Sequence, residues 1–114
     1  MSLTNKTYQP IQAISVLAGE DLPPFRFVSH LGTLCTADSR ALGVTEVNWL
    51  KDEHAAVVTL GTIAIETATT IDAGSDITSD EAGKAMTAGP LSAINGRALD
   101  SCSGSGFIRI KLVP

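Results

Sequence analysis

The chain has 114 residues, of which 44% are hydrophobic and 18% charged; this is the size of one domain, and too apolar and too weakly charged for a disordered chain. Eight basic against twelve acidic residues leave a net charge of −4, and with no basic cluster to neutralise phosphates a nucleic-acid partner is not expected. Nor is a membrane partner, because no stretch approaches the run of about 18 apolar residues that spans a bilayer.

In chain order, Met1 to Pro10 is polar, lacks periodicity and shows no apolar export segment. Residues 1–10 therefore read as an N-terminal arm and residues 11–114 as a single β-rich domain. Aromatic residues make up only 4%, so the core must be built from small and β-branched side chains, which favours strands. The first strand is expected over Pro10–Leu17, followed by a surface loop from Gly19 to Pro24. Pro23 and Pro24 then lead into a second strand, Phe25–Ser29, since proline cannot donate to a central ladder. Further strands are expected at Gly32–Cys35, Leu42–Val47, Ala56–Leu60 and Thr62–Glu66, each near the usual strand length. Helical signals are weak. Only Asn48–Ala56 and Ser79–Met86 contain good helix formers, and one short helix at most is expected.

Turn chemistry recurs at Asp72-Ala-Gly-Ser75, Gly89-Pro90, Asn95-Gly96 and Ser103-Gly-Ser-Gly106. The clearest strand lies last, at Phe107–Val113. Its alternation sends Ile108, Ile110 and Leu112 to a core and Arg109 and Lys111 to solvent or a partner. Many short strands joined by tight turns make an all-β fold, a small barrel or sandwich.

Catalytic chemistry is poorly supported, and no catalytic residue, metal site or cofactor is expected. His30 and His54 have no companion at metal-ligand spacing, and His54 sits in the charged stretch Lys51-Asp-Glu-His54, which reads as a solvated loop. Cys35 and Cys102 have no basic neighbour in sequence to lower a thiol pKa and read as reduced core thiols. Gly104 and Gly106 lead into a strand rather than a helix, so they lack the dipole that phosphate loops use. Asp72, Asp76, Asp80 and Glu81 lack the spacing of a calcium loop. Trp49, the single tryptophan, reads as a core or interface anchor.

From about Ile14 onward the order of elements resembles the small phage capsid decoration, or cement, proteins of the β-tulip head-stabilising type. The residues that carry the resemblance are Val16-Leu-Ala-Gly-Glu-Asp-Leu22 leading to Phe25-Arg-Phe-Val28, then Ala41-Leu-Gly-Val44 and Gly61-Thr-Ile-Ala-Ile65. Ile71-Asp-Ala-Gly-Ser-Asp-Ile77 with Asp80-Glu-Ala-Gly-Lys-Ala85 follow, with Gly74 and Gly83 as turn residues. Gly96-Arg-Ala-Leu99 and Gly106-Phe-Ile-Arg-Ile-Lys-Leu112 complete the series. The polar arm and Trp49–His54 have no matched counterpart.

The resemblance implies a β-barrel or β-tulip-like module, not an enzyme, on the outer surface of a virion capsid. It would be made in the host bacterial cytoplasm and partnered by the major capsid protein, as a homotrimer at three-fold and quasi-three-fold positions. Contacts to capsid or neighbouring subunit are expected from Tyr8, Gln9 and Pro10 in the arm, from the exposed face of the first strand, and from Phe25, Arg26, Phe27, Trp49, Arg109 and Lys111. Alternation makes at least one of the two phenylalanines 25 and 27 a core residue, and Arg109 and Lys111 are alternatively charges that protect a sheet edge. The competing reading is a receptor- or glycan-binding module of a head fibre or tail, against which the low aromatic content argues.

Overall fold

The computed structural model describes residues 7–113; residues 1–6 of the expected arm lie outside the described residues. Among the described residues there is no helix. The elements are β1 (Pro10–Leu17), β2 (Phe27–Val28), β3 (Gly43–Thr45), β4 (His54–Thr67), β5 (Asp76–Ser79), β6 (Ala85–Thr87), β7 (Gly96–Ala98) and β8 (Gly106–Leu112).

The strand β4 organises the molecule, because its two halves belong to different layers. Its second half pairs antiparallel with β8, from Thr62 opposite Lys111 to Thr67 opposite Gly106. β8 continues to β7, β7 to β5 and β5 to β6, and a parallel bridge from Ala85 to Thr67 returns the ladder to β4. Five strands thus close into a small barrel, which removes their free edges. The first half of β4 pairs with β1 on one side and β3 on the other, and β2 adds to β3.

Two strands were expected where β4 runs unbroken, at Ala56–Leu60 and Thr62–Glu66. The residue between them, Gly61, explains the difference. It has a φ of 103°, and a Cβ there would sit 2.4 Å from the Gln9 carbonyl oxygen. Gly61 therefore redirects the strand from one layer to the other while the ladder continues.

Both weak helical candidates are strand and turn. Asn48–Ala56 contains a bridge between Trp49 and Leu22 and the start of β4. Within Ser79–Met86 the Asp80 carboxylate accepts the backbone N–H groups of Ala82 and Lys84 and closes the β5–β6 hairpin, a local bond that competes with a helix. Gly74 and Gly83 both take positive φ in turns, as the resemblance implied. The expected strand Gly32–Cys35 contributes only a bridge, from Leu34 to Val28.

The main core fills the barrel with Ile63, Ile65, Ile71, Ile77, Ile108 and Ile110, all essentially without solvent exposure, together with Phe27, Val44 and Leu112. Each such side chain contributes roughly 1.5–3 kcal/mol relative to leaving it exposed. A second, smaller core of Ala18, Leu22, Val28, Ala55 and Val57 lies against the β1–β4 layer, with Val16, Leu42 and Trp49 packed onto it. Both cysteines are free and buried; burial pushes the Cys35 thiol up to about 11, the behaviour of an unreactive core thiol.

Candidate contact surface

Alternation along β8 buries Ile108, Ile110 and Leu112 and turns Phe107, Arg109 and Lys111 outward. Over this outer wall the chain folds two segments from its N-terminal quarter. Gln9 donates its N–H to the Thr62 hydroxyl at 2.7 Å, and its carbonyl accepts the Thr62 N–H at 3.1 Å. Phe25 is held by its own N–H on the Thr45 carbonyl and by the Glu66 N–H on its carbonyl. Tyr8, Phe25 and Phe107 therefore meet edge to face, with centroids 6.3 Å apart for Tyr8–Phe25 and 6.0 Å for Phe25–Phe107. That geometry suits the ring quadrupoles. Such a half-buried aromatic row is an unusual concentration in a chain with 4% aromatics.

Charged groups frame the row. Arg26 places its Nη2 3.1 Å from Glu66, whose other oxygen lies 3.4 Å from Lys84 Nζ, and Arg26 Nη1 donates to the Ala82 carbonyl. Arg109 makes a two-pronged contact with Asp100 through Nε and Nη2, while Asp100 also accepts the Arg109 N–H. The Asp100 hydrogen bonds and charge raise the Arg109 guanidinium above its ordinary pKa. Arg109 Nη1 reaches the Thr7 carbonyl at 3.4 Å. The Tyr8 phenol is also raised, by burial first and then by the charge and hydrogen bond of Glu46. A rigid guanidinium fork bound on a planar carboxylate holds its position better than a lysine would.

Four residues expected at a contact, Tyr8, Phe25, Arg26 and Arg109, thus gather on one face although 101 positions separate the first from the last. Gln9 and Pro10 are exposed where the chain enters β1. Lys111 is exposed farther along β8. Phe27 is fully buried in the barrel core, so the isolated chain presents none of its surface. Trp49 is half-buried against the second core, and its indole N–H is buried without a partner among the described residues. Arg109 and Lys111 guard no sheet edge, because β8 is paired with β4 on one side and β7 on the other. Phe107 and Glu66 complete the face and were not singled out from sequence. The outward phase of β8 was the available signal for Phe107.

A second surface is formed by β1. The strand is exposed along nearly its whole length, and Val16 alone of its residues is half-buried. Its free side has no ladder partner among the described residues, and it carries no charge from Pro10 to Leu17. Beside it lies an open groove of about 450 Å³ whose lining includes Ile14, Leu60, Ile94 and Val113 together with His30 and Arg40.

The residues considered for chemistry are dispersed. His30 and His54 are both exposed, one at this groove and the other opposite Leu17 at the start of β4. Asp76 faces Arg97 at 3.4 Å, and Asp80 closes its hairpin. Among the described residues no three His, Cys, Asp or Glu side chains come together as a metal site, and no helix is long and apolar enough to cross a membrane.

Comparison with known proteins adds two findings. Residues 7–112 match the family model described as phage cement protein. Among solved structures, the chain is similar to the N base of the head fibre protein gp8.5 of bacteriophage phi29, with a TM-score of 0.72 and 12% identity, over 90% of this chain and 93% of that one. At that identity the likeness establishes a shared fold. No curated protein sequence matches.

Proposed function

This chain belongs to the phage cement protein family, and from that membership we propose that it binds the outer surface of the mature, expanded head at capsomer junctions and stabilises it against internal DNA pressure. In this reading it is made in the host cytoplasm and acts as a homotrimer on the major capsid protein, at three-fold and quasi-three-fold positions. The family match carries the reading, since it spans β1 to β8 and so includes both exposed surfaces.

The work is mechanical and needs no chemical step. A protein that binds the expanded lattice but not its precursor stabilises the former by mass action, by about 2.7 kcal/mol per site at 100 times the dissociation constant. Three linked attachments make weak individual contacts sum to tight binding. Tyr8, Phe25, Phe107 and Arg109 suit such a contact, because aromatic and arginine side chains held in place by neighbours lose little freedom on docking.

The test is co-sedimentation of the purified chain with heads stripped of it, expanded and unexpanded, followed by heating. Saturable binding to expanded heads, in fixed ratio to the major capsid protein and with a raised disruption temperature, is expected. Equal binding to both shells, or none to either, refutes the reading. The phi29 likeness favours one further reading, a base that anchors a head fibre; decoration of heads without any added heat resistance would support it.

A further inference from the structure

The groove beside β1 joins a mainly apolar lining to an arginine and a histidine, in a chain whose net charge is −4. Among the described residues its ionisable lining groups are His30 and Arg40, and no carboxylate lines it. Ile14 of β1 and Leu60 of β4 line it, as do Ile94, 47% exposed, and Val113. Exposed apolar side chains clustered in a concavity mark an interaction site.

The complementary surface is on the same chain. β1 ends at Leu17, 52% exposed, opposite His54. The neighbouring turn carries Leu50, 54% exposed, followed by Lys51, Asp52 and Glu53, so that its carboxylates outnumber its one lysine. Backbone bonds fix this tip to the end of β1, from the Ala18 N–H to the Glu53 carbonyl and from the Asp52 N–H to the Ala18 carbonyl. Asp21 adds a third carboxylate by accepting the Lys51 N–H.

We infer that the acidic, leucine-bearing tip of one copy of this chain docks into the mainly apolar groove of the next, against its Arg40 and His30. Two observations select this head-to-tail contact over a symmetric one. Ile14 and Leu17 are three residues apart in a regular stretch of β1, so they point to opposite faces of the strand. A two-fold contact would also set Arg40 and His30 against their own copies, whereas the tip brings Asp52 and Glu53 to them. A contact of this kind closes into a ring when its rotation permits. The inference deepens the oligomer part of the proposed function and rests on it for its setting, not for its charge pattern.

The test is sedimentation equilibrium of the full chain over a wide concentration range, with thermal melts as the check on folding. Arg40→Glu and Glu53→Lys are each expected to weaken self-association about tenfold. Combining the two substitutions in one chain should restore it, because every reversed groove then meets a reversed tip, whatever the number of copies in the ring. A wild-type chain that stays monomeric to its solubility limit overturns the inference, as does failure of the double variant to recover. Loss of head binding by Arg40→Glu with self-association unchanged also overturns it, by assigning the groove to the capsid. Wild-type binding to expanded heads is read separately, so a failed groove leaves the cement reading standing.

Discussion

Phe25 has a φ of 59°, in the left-handed region where a side chain costs roughly 1–2 kcal/mol. The strain is held from both sides by the Phe25 N–H on Thr45 and the Glu66 N–H on the Phe25 carbonyl, and it places the ring between Tyr8 and Phe107. Replacing Phe25 by Ala removes two edge-to-face contacts, about 1–3 kcal/mol together, and leaves the strain. Replacing it by Gly removes the same contacts and releases the strain, against an unfolded-state entropy penalty of about 0.4–1 kcal/mol relative to Ala. Phe25→Gly is therefore expected to be the more stable of the two variants by about 0.5–1 kcal/mol, the reverse of the ordinary order. Urea unfolding followed by Trp49 fluorescence measures both. If Phe25→Ala proves more stable than Phe25→Gly, the backbone at this position is not strained and the account of the aromatic face is wrong.

Ile108→Ala empties a fully buried barrel site and should cost about 2–5 kcal/mol in the same assay; a loss within the range of surface substitutions would mean that the barrel is loosely packed. Cys35 keeps its proton in the folded state up to about pH 11, against an ordinary value of 9.0. Because the folded form then binds the proton more tightly than the unfolded one, this group's contribution to stability is full below pH 9 and is lost as the pH rises toward 11. Stability titrations of wild type against Cys35→Ala should diverge in that window, and thiol labelling at neutral pH should require unfolding. Deleting residues 1–9 removes the Tyr8 ring contact and the Gln9 bonds to Thr62. The truncated chain is expected to keep its barrel, by circular dichroism, and to bind heads more weakly; undiminished binding would take this segment out of the contact surface.

The phenylalanines show how sequence and structure divide the information. Period-2 alternation places residues 25 and 27 on one face, but β2 starts at Phe27, and the positive φ at Phe25 breaks the alternation before it. One ring enters the core and the other joins the outer row, with Arg26 between them reaching Glu66. β5, β6 and β7 are three or four residues long, too short for a periodicity to register, and they exist because their neighbours in the barrel supply partners.

What the sequence determined by itself is the part of the protein that depends on local periodicity and composition. The absence of a strong helical pattern, the small β-branched core, the turn glycines and the two phases of β8 all follow from neighbours within a few residues. The closure of five strands into a barrel, the bend of β4 at Gly61, the meeting of Tyr8 with Phe25 and Phe107, and the groove beside β1 were decided only in three dimensions. Each joins residues tens of positions apart, so its energy comes from surfaces that come together only once the chain has folded.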